Sequence, residues 1–455
     1  MEEKFAAGEI IQTDKKHVWH PWVQNKIFKD HDPNLFVEGR GARVWDANCK
    51  EYIDAMAGLW CVNAGYGRES IAKAAYEQLL KLPYFPQTHA TVPAARMAEK
   101  ISSLLHEGMK RVYFVNSGSE ANEAAFKIAR QWGRQAGGGT RYKIVGRYFS
   151  YHGTTLATLS AGGMADRKAK FEPLTPGFYH AAAPYCYRCP FGKAYPGCNL
   201  ECARHIEYII NAEGPETVAG VLIEPIMSGL GVVIPPDEYL PTVEGICRKH
   251  GVLLLIDEVI NGFGRTGKWF AHQHYGVKPD IVAMAKGISS AYVPLAATAA
   301  TESLFESFLG EPEEMKHIVQ VNTYGGHPVA CAAGLENVRI MEEENLPGRA
   351  AEVGAHLVEG LKSLKTKYPM VGDVRGKGLL IGVELIKNKE KDPLPGSVVA
   401  DIMTKVMANG VIISRSAHTD RTLGNTLTIC PPLVLTTEEA DAVVAAIDKV
   451  LGEMA

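Results

Sequence analysis

The sequence predicts an α/β protein, with a large α/β/α domain built on a mainly parallel sheet and a smaller α+β domain. Between about residues 70 and 330, short β-branched runs alternate with helical patterns. These runs are apolar on both faces, and strands buried on both sides between helices make parallel sheets. From about residue 331 the rhythm changes to long helical patterns separated by a few short strands. A chain of 455 residues has length for roughly two to four domains.

Residues 1–70 are rich in Trp and Gly and fit neither rhythm; they are expected to pack against the small domain or a partner subunit. The large domain is assigned to 71–330. Its strand at 111–116 leads into a helix whose apolar Ala121, Ala124, Ala125, Ile128, Ala129 and Trp132 keep one-face helical spacing. Further strands are expected at 143–146, 219–223, 252–256 and 280–285. The small domain, 331–455, is expected to hold helices at 331–344, 351–368 and 397–408, with strands at 378–385 and 411–414. Its last helix opens on Thr436-Thr-Glu-Glu439, a capping-box spacing, and runs to about Leu451.

Several function classes are excluded by composition. Forty-eight basic residues against fifty-one acidic leave a net charge of −3, so there is no basic field for nucleic acid. No apolar run approaches the ~18–20 residues that span a bilayer. The first residues, MEEKFAAGEIIQTDKKH, mix both charge signs without an apolar core, unlike a secretory signal. Nine cysteines, an odd number in a long chain, argue against a disulfide framework and for a reducing cytoplasm.

The chemistry is concentrated at strand ends. In Asn116-Ser-Gly-Ser-Glu-Ala-Asn-Glu123, Ser117 and Glu120 have capping-box spacing and Gly118 permits close backbone approach. Free amides and the helix dipole suit such a junction to a phosphate; a well-capped helix is the alternative. Gly262-Phe-Gly-Arg-Thr-Gly267 matches a dinucleotide-binding turn, but Asp257 and Glu258 stand where a pyrophosphate would be repelled, and no helical stripe follows. Asp257 ends an almost wholly apolar strand, so its carboxylate is paired or functional. Lys286 ends the next strand and is followed by Gly287. A lysine in a low-dielectric pocket becomes a nucleophilic amine able to form a Schiff base; an Asp–Lys ion pair is the alternative. Together, a phosphate cradle, an acid at one strand end and an amine at another are what pyridoxal 5'-phosphate (PLP) requires. Tyr151, in Phe149-Ser-Tyr-His-Gly153, is placed to stack on its ring.

The motifs NSGSEANEAAFKIAR, YHG, IEP, LLLIDEVINGFGRTG, MAKGISSAYVPLAA, TYGGHPVACAA and VRGKGLLIGVEL occur in this order between residues 116 and 385. In them the sequence resembles the class III, fold type I, PLP-dependent aminotransferases. The resemblance implies Lys286 as the Schiff-base lysine and Asp257 as the partner of the pyridine nitrogen. It puts Gly118 and Ser119 on the phosphate, Tyr151 and Val259 on the two ring faces, and Glu224 at the border of the site. Thr323 resembles the residue that reaches the phosphate from the other subunit, which implies a homodimer or larger assembly. His20-Pro-Trp22, Gly58-Leu-Trp-Cys-Val-Asn63 and Leu82-Pro-Tyr-Phe85 resemble the pocket of the ω-amino acid and amine:pyruvate branch, so Trp22, Trp60 and Phe85 are pocket candidates. Arg415 resembles that branch's mobile arginine, suited to grip a carboxylate or sulfonate. Arg421 offers a second guanidinium, so which of the two recognises the acid is open. The implied reaction moves an amino group from an ω-amino acid or amine (taurine, β-alanine, 4-aminobutyrate, a diamine or an aryl-alkyl amine) to pyruvate. An aminomutase, racemase or decarboxylase on the same scaffold is the alternative.

Cys186, Cys189, Cys198 and Cys202 have the spacing C-x2-C-x8-C-x3-C. Four thiols so close suggest zinc or an iron–sulfur cluster, but the second pair is not a C-x2-C and the prolines suit an irregular loop. No metal is assigned.

Overall fold

The computed structural model describes residues 6–416 and 424–454. Its centre is a seven-stranded sheet of β4 (Met109–Val115), β5 (Lys143–Arg147), β6 (Phe178–Ala181), β7 (Val218–Ile223), β8 (Leu253–Asp257), β9 (Ile281–Met284) and β10 (Ala296–Thr301), in the order β4-β10-β9-β8-β7-β5-β6. The strands from β6 across to β9 run parallel, and β10 runs antiparallel to both its neighbours. Every residue of β7, β8 and β9 is buried.

Alternation along β8 shows why its sequence is apolar up to Asp257. Leu253 and Leu255 pack with Phe126 and Ala129 of the helix Gly118–Gln135 on one face. Leu254 and Ile256 belong to the opposite core, with Ile206 and Ile210 of the helix Glu201–Glu213 and Val243 and Ile246 of the helix Tyr239–His250. A strand covered by helices on both sides has no polar face to show.

The strands β1 (Phe36–Arg40), β2 (Arg43–Asp46) and β3 (Glu51–Asp54) form an antiparallel meander. A third sheet contains β11 (Val371–Lys377), β12 (Leu380–Leu385), β14 (Ser414–Arg415) and β15 (Thr426–Ile429). The single strand expected at 411–414 is divided between two sheets: β13 (Val411–Ile412) lies parallel to β3, and after Ile413 the chain joins β15 through β14. β10 escapes the sequence pattern because Ala-Ala-Thr-Ala-Ala-Thr has no β-branched apolar run; its small side chains lie beneath the helix Gly118–Gln135, and Thr298 donates to the Ala121 carbonyl at 2.7 Å. The helices expected at 331–344 and 351–368 span Pro328–Glu343 and Leu346–Lys367, each beginning with a proline in its first turn. Among the described residues no helix is long and apolar enough to cross a membrane.

The last helix, Thr437–Gly452, carries the expected capping box: Thr436 Oγ1 accepts from Glu439 N, and Glu439 accepts from Thr436 N at 3.0 Å. Thr436→Ala is expected to lower stability by about 1 kcal/mol, read as a shift of the denaturant midpoint at unchanged slope.

Candidate active site

Three adjacent parallel strands bring three ionisable side chains to one edge of the central sheet. Glu224 follows the end of β7, Asp257 is the last residue of β8, and Lys286 stands two residues past β9. The carboxyl edge of such a sheet is where ligands collect. The helix Gly118–Gln135 starts at the same edge after β4, capped by Ser117 Oγ, which accepts from Glu120 N at 3.2 Å; Glu120 in turn accepts from Asn116 N at 2.6 Å. Gly118, Ser119, Tyr151, Glu224, Asp257, Val259 and Lys286 all line one cavity of about 360 Å³.

Asp257 is the best-held group in it. The residue is only 3% exposed. Its Oδ2 accepts from Asn122 Nδ2 at 2.8 Å and lies 2.8 Å from His152 Nδ1, while Oδ1 accepts from Val259 N at 3.0 Å. Asn122 also donates to the His152 carbonyl at 2.9 Å, closing a small network. Asn122 and His152 lie inside motifs quoted above yet were not singled out. The available signal is Asn122 itself, the one side-chain amide among the buried, otherwise apolar residues of that helix.

Lys286 adopts φ +50°, a left-handed conformation rare for a side chain of its size. It forms no side-chain hydrogen bond with a described residue, and burial pushes its amine below the usual lysine range against the pull of nearby Asp257. Gly287 is needed because a Cβ there would stand 2.4 Å from Asn63 Nδ2. Glu224 is buried; its Oε1 accepts from Tyr151 N at 3.2 Å, and burial raises its pKa to about 7.

The remaining pocket candidates stand apart from this cavity. Trp60 packs against the cluster that includes Ile260, a lining residue. Trp22 lies on the Arg167 guanidinium, which also lies over the Tyr151 ring. Phe85 is exposed, with His89 edge-on at 5.0 Å, and Thr323 is exposed with its carbonyl accepting from Tyr84 Oη at 2.8 Å. Arg415 is half-buried on β14, with Nη1 donating to the Gly396 carbonyl at 2.5 Å; Arg421 lies outside the described residues.

Two other motifs resolve differently. Arg265, inside Gly262–Gly267, is wholly buried and donates to the Leu379 and Pro431 carbonyls and to Asn63 Oδ1. This loop is filled by its own arginine and is no dinucleotide turn. Cys186, Cys189, Cys198 and Cys202 are free thiols around a separate cavity of about 20 Å³. Among the described residues no group of His, Cys, Asp and Glu side chains is arranged to hold a metal ion.

The class-III aminotransferase model matches residues 28–451. The aminotransferase YhxA of Bacillus subtilis is 48% identical over 97% of this chain and 96% of its own length. A taurine–pyruvate aminotransferase of Bilophila wadsworthia is 42% identical over 97% of this chain and 96% of its own. The crystal structure of a Bacillus anthracis aminotransferase superposes with a TM-score of 0.94 at 43% identity, covering 98% of each chain. The cavity fits the cofactor of that family: a cationic ring nitrogen, a phosphate and an aldehyde find a held carboxylate, a helix N-terminus and an amine of lowered basicity. A Cβ on Gly118 would stand 2.7 Å from Val259 Cγ1, so only glycine lets these two walls meet. This chain therefore belongs to the class-III aminotransferases, PLP-dependent enzymes of fold type I.

Proposed function

We propose that the chain moves an amino group from an ω-amino acid or primary amine to pyruvate by a ping-pong mechanism, releasing an aldehyde or ketone and then alanine. The observation carrying this is the delivery of Asp257 and Lys286, from neighbouring strand ends, to one cavity floored by a helix N-terminus. The family and the taurine–pyruvate relative supply the reaction class and the acceptor.

When bound, PLP supplies a carbonyl carbon for the donor nitrogen and a cationic ring that withdraws electrons from the donor carbon. Asp257 takes the hydrogen bond of the ring nitrogen and keeps it protonated. The amides of Gly118 and Ser119 donate to the phosphate, aided by the positive end of the helix. Tyr151 and Val259 hold the two ring faces. Lys286 would hold the cofactor and is the group placed to move a proton off the amine-bearing carbon of the donor, a role that its burial-lowered basicity favours. Glu224 borders the site as a carboxyl whose burial favours the neutral form.

The proposal includes a homodimer or larger assembly. Thr323 and Phe85 lie outside their own chain's cavity, and the hydrogen bond from Tyr84 to Thr323 ties their two segments together; in the dimer they complete the partner's pocket, with Trp22 and Trp60 supplied in cis. We place residues 71–330 in the cofactor-binding domain and 331–455 in the small domain, with 1–70 packed against the latter and the partner. Nine free cysteines accord with a cytoplasmic enzyme.

Borohydride reduction of the holoenzyme followed by peptide mapping is expected to label Lys286, and Lys286→Ala to abolish alanine formation from pyruvate; a label elsewhere overturns the assignment. Sedimentation of the active enzyme is expected to show a dimer or larger, and a fully active monomer contradicts the shared pocket. Glu224 gives a pH signature. Between its ordinary 4.5 and about 7 the unfolded chain loses this proton while the folded chain keeps it, so stability falls as pH rises through that window. Glu224→Gln, which still accepts from Tyr151 N, is expected to remove that fall, a gain on the order of 3 kcal/mol above pH 7, measured by unfolding from pH 4 to 8.

A further inference from the structure

We propose that Arg167 recognises the anionic end of the amino donor, so that the donor is a short ω-amino acid ending in a sulfonate or carboxylate. This deepens the proposed transaminase reading and rests on it. Arg167 lies in the short helix Ala165–Lys168. Its guanidinium carbon is 4.2 Å from the centroid of the Trp22 ring and 4.7 Å from that of Tyr151, a ring that lines the cofactor cavity.

Aromatic rings engage a guanidinium through its faces, and its N–H groups all lie in its plane. With the guanidinium carbon over two ring faces, its terminal N–H groups are not consumed by side-chain hydrogen bonds, and a sulfonate or carboxylate can meet them with two hydrogen bonds. Arg167 forms no ion pair and no side-chain hydrogen bond with any described residue, and its Nε is buried without a partner. The adjacent Asp166 favours its charge but forms no ion pair with it, and has its own buried, unpartnered Oδ1. Burial also works against the charge of Arg167, as its lowered pKa records. An unpaired, half-buried guanidinium beside a substrate cavity is costly unless an anion completes it.

Trp22 adds an independent observation. It is held at φ +62°, a strained conformation for so large a residue, although its side chain is mostly exposed. The segment carrying it is fixed: His20 Nε2 lies 2.7 Å from Asp14 Oδ2, and the His20 ring stacks on Phe28 at 4.4 Å. Backbone strain of this kind gathers at ligand clamps. Arg415, the alternative, already has Nη1 bonded to the Gly396 carbonyl.

The test uses holoenzyme with pyruvate as acceptor and three donors: taurine, β-alanine and uncharged 1-phenylethylamine. In Arg167→Met, kcat/KM for the two acids is expected to fall about ten- to hundredfold, mainly through KM, while the neutral amine stays within about threefold. Arg167→Lys, which keeps the charge but not the planar rim, is expected to recover part of the loss. Calorimetry with ethanesulfonate, a donor lacking its amine, is expected to show binding that Arg167→Met removes. The ratio of taurine to β-alanine in the unaltered enzyme tells sulfonate from carboxylate. Equal losses for all three donors, no loss for the acids, or unaltered enzyme that accepts only the neutral amine overturns the proposal. If Arg167→Met does not accumulate as holoenzyme, Arg167→Gln is expected to show the same acid-selective loss, and uniform loss or none overturns the proposal. Unaltered enzyme that transfers nitrogen from none of the donors contradicts instead the transaminase reading beneath it.

Discussion

A carboxylate removed from water at the end of an apolar strand is the constraint around which this molecule is arranged. Asp257 is tolerable there because both its oxygens are engaged, by the Asn122 amide, the His152 ring and the Val259 amide nitrogen. Each partner comes from a different element: the helix after β4, the turn after β5, and the start of the loop after β8 itself. Satisfying this single charge fixes three pieces of chain against one another. The same three pieces carry Gly118 and Ser119, Tyr151, and Val259, so the network that stabilises the acid also positions the walls of the cavity.

A second buried charge ties the cavity to the rest of the chain. The Arg265 guanidinium reaches the carbonyls of Leu379 and Pro431 and the side chain of Asn63, so residues far apart in sequence meet on one cation. Asn63 in turn donates to the Phe263 carbonyl and presses against Gly287, beside Lys286. These contacts link the N-terminal segment, the third sheet and the lysine through main-chain carbonyls, in place of a compensating carboxylate.

Much of the site was legible because its residues interrupt patterns. Asp257 and Lys286 stand where apolar strands end, and Ser117 and Glu120 announce a helix start; these interruptions mark the four positions, while their roles rest on the family resemblance. The sheet centre was equally readable, since strands covered on both sides must be apolar. β10 was missed because alanine and threonine beneath a closely packed helix carry no strand signature, and the β13–β14 division was missed because hydrogen-bond partners change at Ile413 without any change in side-chain pattern. The Trp22–Arg167–Tyr151 stack joins residues from three segments with no local spacing to betray it.

The reversed direction of β10 has a practical outcome. A parallel neighbour would need a crossover helix to return the chain to the far edge of the sheet. Here the chain turns back directly after Lys286, and Ser289, Ala291, Val293, Pro294 and Leu295 form part of the cavity rim on the way to β10. Reshaping this enzyme for bulkier amines can therefore start in that short return, where new side chains alter pocket volume while the crossovers that build the sheet keep their lengths.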